Sequence, residues 1–100
     1  MHIALAPFRL KAGFSEDDLV KVSDDFEEQF VQQQDGILKR ILVKDGDGGY
    51  ADIVLFADAA AIERVIEAEQ QSEVCASFFA IMDSDGSHTV YEMLKTYPRA

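Results

Sequence analysis

Two histidines, His2 and His88, and one cysteine, Cys75, are the only imidazoles and thiol in the sequence. Acid–base chemistry therefore falls to these groups and to the carboxylates. Imidazole titrates near neutrality without help, and His88 stands at the mouth of the last β-prone segment, where a general base could reach a bound molecule. Asp52 alternates with Tyr50, Val54 and Phe56 along one side of another β-prone run. It can act as a base only if burial raises its pKa. Phe26, Tyr50, Phe56 and Tyr91, with Phe30, Phe78 and Phe79, are aromatic enough to wall a pocket for a flat apolar ligand. Each also has an ordinary role, His88 as a solvated histidine and the aromatics as core.

Other chemistries find little support. No HxH or HExxH spacing suggests a metal. Asp45-Gly-Asp47-Gly-Gly49 and Asp83-Ser-Asp85-Gly86 resemble calcium loops only in their first residues. An EF-hand needs glycine at its sixth position and glutamate at its twelfth. Here those positions hold Tyr50 and Phe56 in one case, His88 and Leu94 in the other, so both read as turns. No dinucleotide fingerprint, phosphate loop or GxSxG is present, and no cofactor is expected. Cys75 lies among Val74, Ala76, Phe78 and Phe79 and reads as buried filler. A lone cysteine excludes an internal disulfide and suits a reduced, cytoplasmic compartment.

The elements that must position these groups form one domain over residues 1–100, since 11.1 kDa leaves no room for a second core. Hydrophobic residues at 48% and charged ones at 28% exclude disorder. No apolar run approaches the ~20 residues that span a bilayer, and the opening segment lacks the unbroken apolar stretch of an export signal. Nine basic against nineteen acidic residues give a net charge of -10. The cations are dispersed, which argues against nucleic acid and anionic membranes as partners.

Ile3–Lys11 reads as a strand, with Pro7 implying an edge position or a bulge. Ser15 with Asp18 forms a capping box. Leu19, Val22, Phe26 and Phe30 then fall on one helical face, and the helix is expected to end at Asp35-Gly36. Ile37–Lys44 and Tyr50–Ala57 are two strands joined by the glycine-rich turn. In the first of them Ile37, Ile41 and Val43 are expected on one face, with Leu38, Arg40 and Leu42 on the other. Asp58 caps a second helix with inner residues Ala59, Ile62, Val65 and Ile66, and Ser72 caps a third. His88–Tyr97 completes the order as a last strand, stopped by Pro98.

Strand, helix, strand, strand, helix, strand is the α+β, ferredoxin-like βαββαβ sandwich with a four-stranded antiparallel sheet. A sheet wet on one face should alternate apolar and polar, yet Ile37–Lys44 and Tyr50–Ala57, expected as the central strands, are apolar on both faces. Leaving such side chains wet forgoes roughly 1.5–3 kcal/mol each. A homodimer with sheets face to face is the expected remedy.

Phe8-Arg9-Leu10-Lys11-Ala12-Gly13, Phe26 with Phe30, Asp35-Gly36-Ile37-Leu38-Lys39-Arg40, and Tyr50-Ala51-Asp52-Ile53-Val54-Leu55-Phe56-Ala57-Asp58 followed by Ala61 carry a further signal. Together they make a pattern that resembles the dimeric α/β-barrel superfamily, near uncharacterised relatives of the antibiotic biosynthesis monooxygenases. The resemblance implies two protomers closing a barrel through their sheets, each with a pocket between sheet and helices. It also implies oxidation of polycyclic phenols or quinols by oxygen with no added cofactor; related members degrade haem. Phe56 stands where that group often has tryptophan. Ala4, Ala6 and Pro7 occupy the stretch where some carry asparagine, and Ile62–Gln71 has no haem-ligating histidine. Two functions follow. One is a monooxygenase-like enzyme on an aromatic or polyketide-like substrate, with His88 and Asp52 catalytic and Phe26, Tyr50, Phe56 and Tyr91 binding. The other is a non-catalytic module for a small ligand or a stress response.

Overall fold

A computed structural model describes residues 1–99. Its elements are β1 (His2–Leu10), α1 (Glu16–Gln29), β2 (Ile37–Lys44), β3 (Tyr50–Phe56), α2 (Ala59–Glu69), α3 (Glu73–Ala80), β4 (Met82–Asp83) and β5 (Thr89–Glu92). The strands form one antiparallel sheet in the order β2-β3-β1, with β4 and β5 sharing the far side of β1. This is the expected α+β, ferredoxin-like arrangement, except that the fourth strand position is divided.

Local chemistry sets the helix starts. The Ser15 hydroxyl accepts from the Asp18 amide at 3.2 Å, and the Asp18 carboxylate accepts from the Ser15 amide at 2.9 Å. Asp58 and Ser72 cap α2 and α3 through the amides of Ala61 and Cys75. Leu19, Phe26 and Phe30 then meet Ile62, Val65 and Phe78 over Phe8 and Phe56 of the sheet to make the core.

Several expectations need correction. The first helix stops at Gln29 instead of Asp35-Gly36, and a 3₁₀ turn over Val31–Gln33 follows. That tighter turn buries Val31, while the Gln33 and Gln34 side-chain amides donate to the carbonyls of Glu28 and Phe30. In β2 a bulge between Ile37 and Lys39 turns Ile37 onto the core and leaves Leu38 outside, 53% exposed. Pro7 lies on a central strand, not at an edge, while β2, expected at the centre, is the edge strand. On α2 it is Ala61 that is buried and Ala59 that is exposed.

The last strand is not continuous from His88 to Tyr97. Arg9 and Leu10 pair with Asp83 and Met82, His2 to Leu5 pair with Glu92 to Thr89, and residues 84–88 loop away between them. The gap falls beside Pro7, which has no amide hydrogen to offer a neighbour. Past Glu92 only the Met93 amide still reaches β1, through the Met1 carbonyl at 2.9 Å. The sheet backbone ends there, so Leu94 to Arg99 make no strand and Leu94 is 93% exposed.

Candidate functional site

Between the helices and the sheet lies a cavity of about 360 Å³. Small side chains make the room: Ala4 and Ala6 occupy inward positions on β1 between His2 and Phe8. Phe26 of α1 and Phe30 at its C-cap, Phe56 of β3, Ile62 and Val65 of α2, and Phe78 of α3 form apolar walls. The loop excursion beside Pro7 supplies the rim as Ser84, Gly86, Ser87 and His88. The break in the fourth strand thus borders the cavity.

Three charged side chains also line it: Arg40, Asp52 and Glu69. Arg40 and Asp52 lie diagonally across the β2–β3 pair on the inward face, since Arg40 is opposite Val54 and Asp52 opposite Leu42. The Arg40 side chain is 6% exposed. Its Nε donates to both Asp52 carboxylate oxygens at 2.9 and 3.0 Å. Nη2 donates to the Ser23 hydroxyl at 2.6 Å, and Nη1 to the Ser23 carbonyl and Glu27 Oε1, each at 3.4 Å. The guanidinium carbon lies 4.8 Å from the Phe26 ring centre and 5.2 Å from that of Phe78. Burial pushes the Asp52 carboxyl up from its ordinary value, and the Arg40 charge and hydrogen bond hold that rise in check.

Glu69, the last residue of α2, continues the inward stripe of Ile62, Val65 and Ile66. Among the described residues no hydrogen bond or ion pair engages its carboxyl. Burial, with a contribution from the Asp52 charge, pushes it up to about 7. The cavity therefore holds an ionised pair and a carboxyl poised to exchange a proton near neutrality.

The structure brings Asp52, His88, Phe26 and Phe56 together around this space. Asp52 sits in the wall, and His88 is exposed at the rim. Tyr50 lies outside the lining; its ring stacks on Phe8 at 5.7 Å and its hydroxyl donates to Glu16 at 3.5 Å. Tyr91 pairs with Ile3 and shares its face, away from the helices, at 54% exposure. Cys75 is fully buried, and burial pushes its thiol up.

Arg40 and Glu69 are not among the residues expected at the site. An arginine alternating with Leu38 and Leu42 along an otherwise apolar strand face, with Asp52 on an apolar face of the next strand, is the signal that points to a buried pair. Glu69 stands at the next inward position after Ile62, Val65 and Ile66, where the apolar stripe gives way to polar residues. Among the described residues no group of three or more metal-binding side chains is gathered, and no helix is long and apolar enough to cross a membrane.

No family model matches the chain, and no curated protein matches it in sequence. Solved structures do. A mutant form of SnoaB, a cofactor-independent oxygenase from Streptomyces nogalater, superposes with a TM-score of 0.78. The match has 17% identity and covers 98% of this chain and 97% of the other. An antibiotic biosynthesis monooxygenase matches at a TM-score of 0.72 and 18% identity, over 95% of this chain and all of the other. A conserved protein from Methanosarcina mazei Go1 matches at 0.71 and 10% identity, over 90% and 89%. The chain has the fold of the antibiotic biosynthesis monooxygenases, as its sequence pattern implied.

Proposed function

We propose that this protein is a small oxygenase needing no added cofactor, and that it acts on a flat, hydroxylated aromatic compound bound in the cavity. The observation that carries this reading is an apolar chamber of about 360 Å³ with an Arg40–Asp52 ion pair and a free carboxyl in its wall. Such a chamber suits a ligand that is mostly apolar with a few polar atoms. Losing a phenolic proton makes an aromatic ring electron-rich enough to give electrons to dioxygen. Over the whole reaction, a ring CH₂ and O₂ become a ring C=O and water. The protein's share is to exclude water, orient the ring and manage the proton.

Phe26 and Phe56 are the walls against which the ring packs. Asp52, fixed by Arg40, accepts a hydrogen bond from a ligand hydroxyl, and His88 exchanges protons with solvent at the rim. Two copies pack sheet to sheet through the face that carries Ile41, Ile53 and Tyr91, and each keeps its own cavity. The fold shared with SnoaB, a cofactor-independent oxygenase, supports the same class.

The test is oxygen uptake with 1,8-dihydroxyanthrone, compared with its autoxidation in buffer. Uptake above that background is expected, and Ala6→Leu, which fills the cavity floor, is expected to abolish it without loss of helix or sheet content. Saturable binding of the anthrone with no added uptake would instead favour the non-catalytic ligand-binding module.

A further inference from the structure

Within that reading, which supplies a hydroxylated ligand in the cavity, one wall residue has no structural occupation. Glu69 ends α2, where the helix dipole already disfavours negative charge. It lines a largely apolar chamber, half-buried, and among the described residues it has no ion-pair or hydrogen-bond partner. A carboxylate so placed costs stability unless something else requires it. The other acid in the wall is committed: Asp52 takes the Arg40 Nε hydrogen on both oxygens, and protonating it would leave a buried guanidinium short of its counter-ion. His88 is at the exposed rim, where water competes for any ligand hydroxyl.

We propose that Glu69 is the proton acceptor of the cavity. Its carboxylate takes the proton of the ligand hydroxyl; the O–H bond of the ligand breaks, the electron pair stays on the ligand oxygen, and a new O–H bond forms on Glu69. The proton later leaves to solvent past the rim. Groups facing this carboxyl set its behaviour: Asp52 from β3, Arg40 from β2 with Glu27 of α1 behind it, Cys75 of α3, and His88 from the rim loop. The nearby Asp52 charge and the apolar walls keep the carboxyl protonatable at neutral pH, so a general base here need not be a histidine.

The experiment compares the wild type with Glu69→Gln, a change that keeps size and removes the proton site. With 1,8-dihydroxyanthrone, kcat for Glu69→Gln is expected to fall on the order of 100-fold with KM within a few-fold. The acid limb of the wild-type pH profile is expected to disappear. Unchanged kcat, or an acid limb that persists in Glu69→Gln, would overturn the assignment.

A second readout does not depend on turnover. Carbon NMR follows the Glu69 carboxyl through pH with saturating 2-naphthol or 2-methoxynaphthalene, which fill similar space with and without a hydroxyl hydrogen. A hydroxyl donating to the carboxylate favours its charged form, so 2-naphthol is expected to move the titration lower than the ether does. Equal titrations would overturn the proposal. If the wild type consumes no oxygen, the oxygenase reading fails and this NMR comparison alone decides Glu69. If neither naphthalene binds, the Glu69 assignment is overturned, while the oxygenase reading is still decided by the anthrone uptake.

Discussion

Arg40 spends its donors on Asp52, Ser23 and Glu27, and its flat faces meet Phe26 and Phe78. Removing one member of a buried pair strands the other, at a cost of about 3–5 kcal/mol. Arg40→Met is therefore expected to lower the urea midpoint sharply, and adding Asp52→Asn to recover part of the loss; a double variant no more stable than the single one would refute the coupling. Glu69 acts on stability in the opposite sense. Its folded pKa of about 7 lies above the ordinary 4.5, so the folded state holds the proton more tightly than the unfolded chain. Stability from this group is complete below pH 4.5 and is lost as pH rises through 7. Glu69→Gln is expected to flatten that decline, gaining about 1–2 kcal/mol at pH 8 after allowance for partial exposure. Thermal unfolding at pH 5 and pH 8 measures it. At this scale the sequence is unevenly legible. Asp52 and the phenylalanines stand out by face and residue type; Arg40 interrupts the apolar face of Leu38 and Leu42 but, like Glu69, reads first as solvent-facing, because charge ordinarily faces solvent. Their meaning depends on a cavity whose existence rests on small residues, Ala4 and Ala6, and on a gap in strand pairing.

Element starts are legible because they rest on short-range chemistry. The Ser15–Asp18 box, the Asp58 cap and the Ser72 cap each lie within three residues of their partners. Element ends are not, because they depend on neighbours distant in sequence. The fourth strand position divides where Pro7, 77 residues from Ser84, takes that hydroxyl on its carbonyl at 3.5 Å. The bulge at Leu38 likewise follows from seating Ile37 on the core opposite Phe56. Gly36, just before that bulge, shows how an element boundary is enforced. Its φ is +96°, and a Cβ there would lie 2.5 Å from the Cβ of the fully buried Ala61 on α2. The Gly36 carbonyl also accepts from the Ala57 amide at 2.8 Å, tying the entry of β2 to the exit of β3. Left-handed strain of about 1–2 kcal/mol and overpacking of about 1–3 kcal/mol add for Gly36→Ala. A loss of at least about 2 kcal/mol is expected by urea unfolding. Gly13, also at positive φ but with open space around it, is expected to lose only the strain component.

For the molecule as a whole, the decisive feature is the sheet face opposite the helices. The strand register places Ile3 and Leu5 of β1, Ile41 and Val43 of β2, and Ile53 and Leu55 of β3 on it, with Tyr91 of β5 beside Ile3. Ile41, Val43 and Tyr91 are each more than a third exposed. A contiguous apolar face of this kind on a small domain marks an interaction surface. A net charge of -10 spread over the rest of the chain would oppose association elsewhere and so favour this face. The homodimer proposed above covers it with its own copy, as an isologous interface does. Because each residue on a two-fold interface acts twice, one introduced charge places two like charges in a dry contact. Ile53→Asp, at the centre of the face and pointing to the opposite side of the sheet from the cavity, is therefore expected to convert a particle of twice 11.1 kDa into one of 11.1 kDa. Light scattering at micromolar concentration reads the mass directly, and circular dichroism confirms that the monomer keeps its secondary structure. A wild type that already scatters as a single chain would refute the dimer. It would leave the cavity chemistry standing, since Arg40, Asp52, Glu69 and His88 all come from one chain.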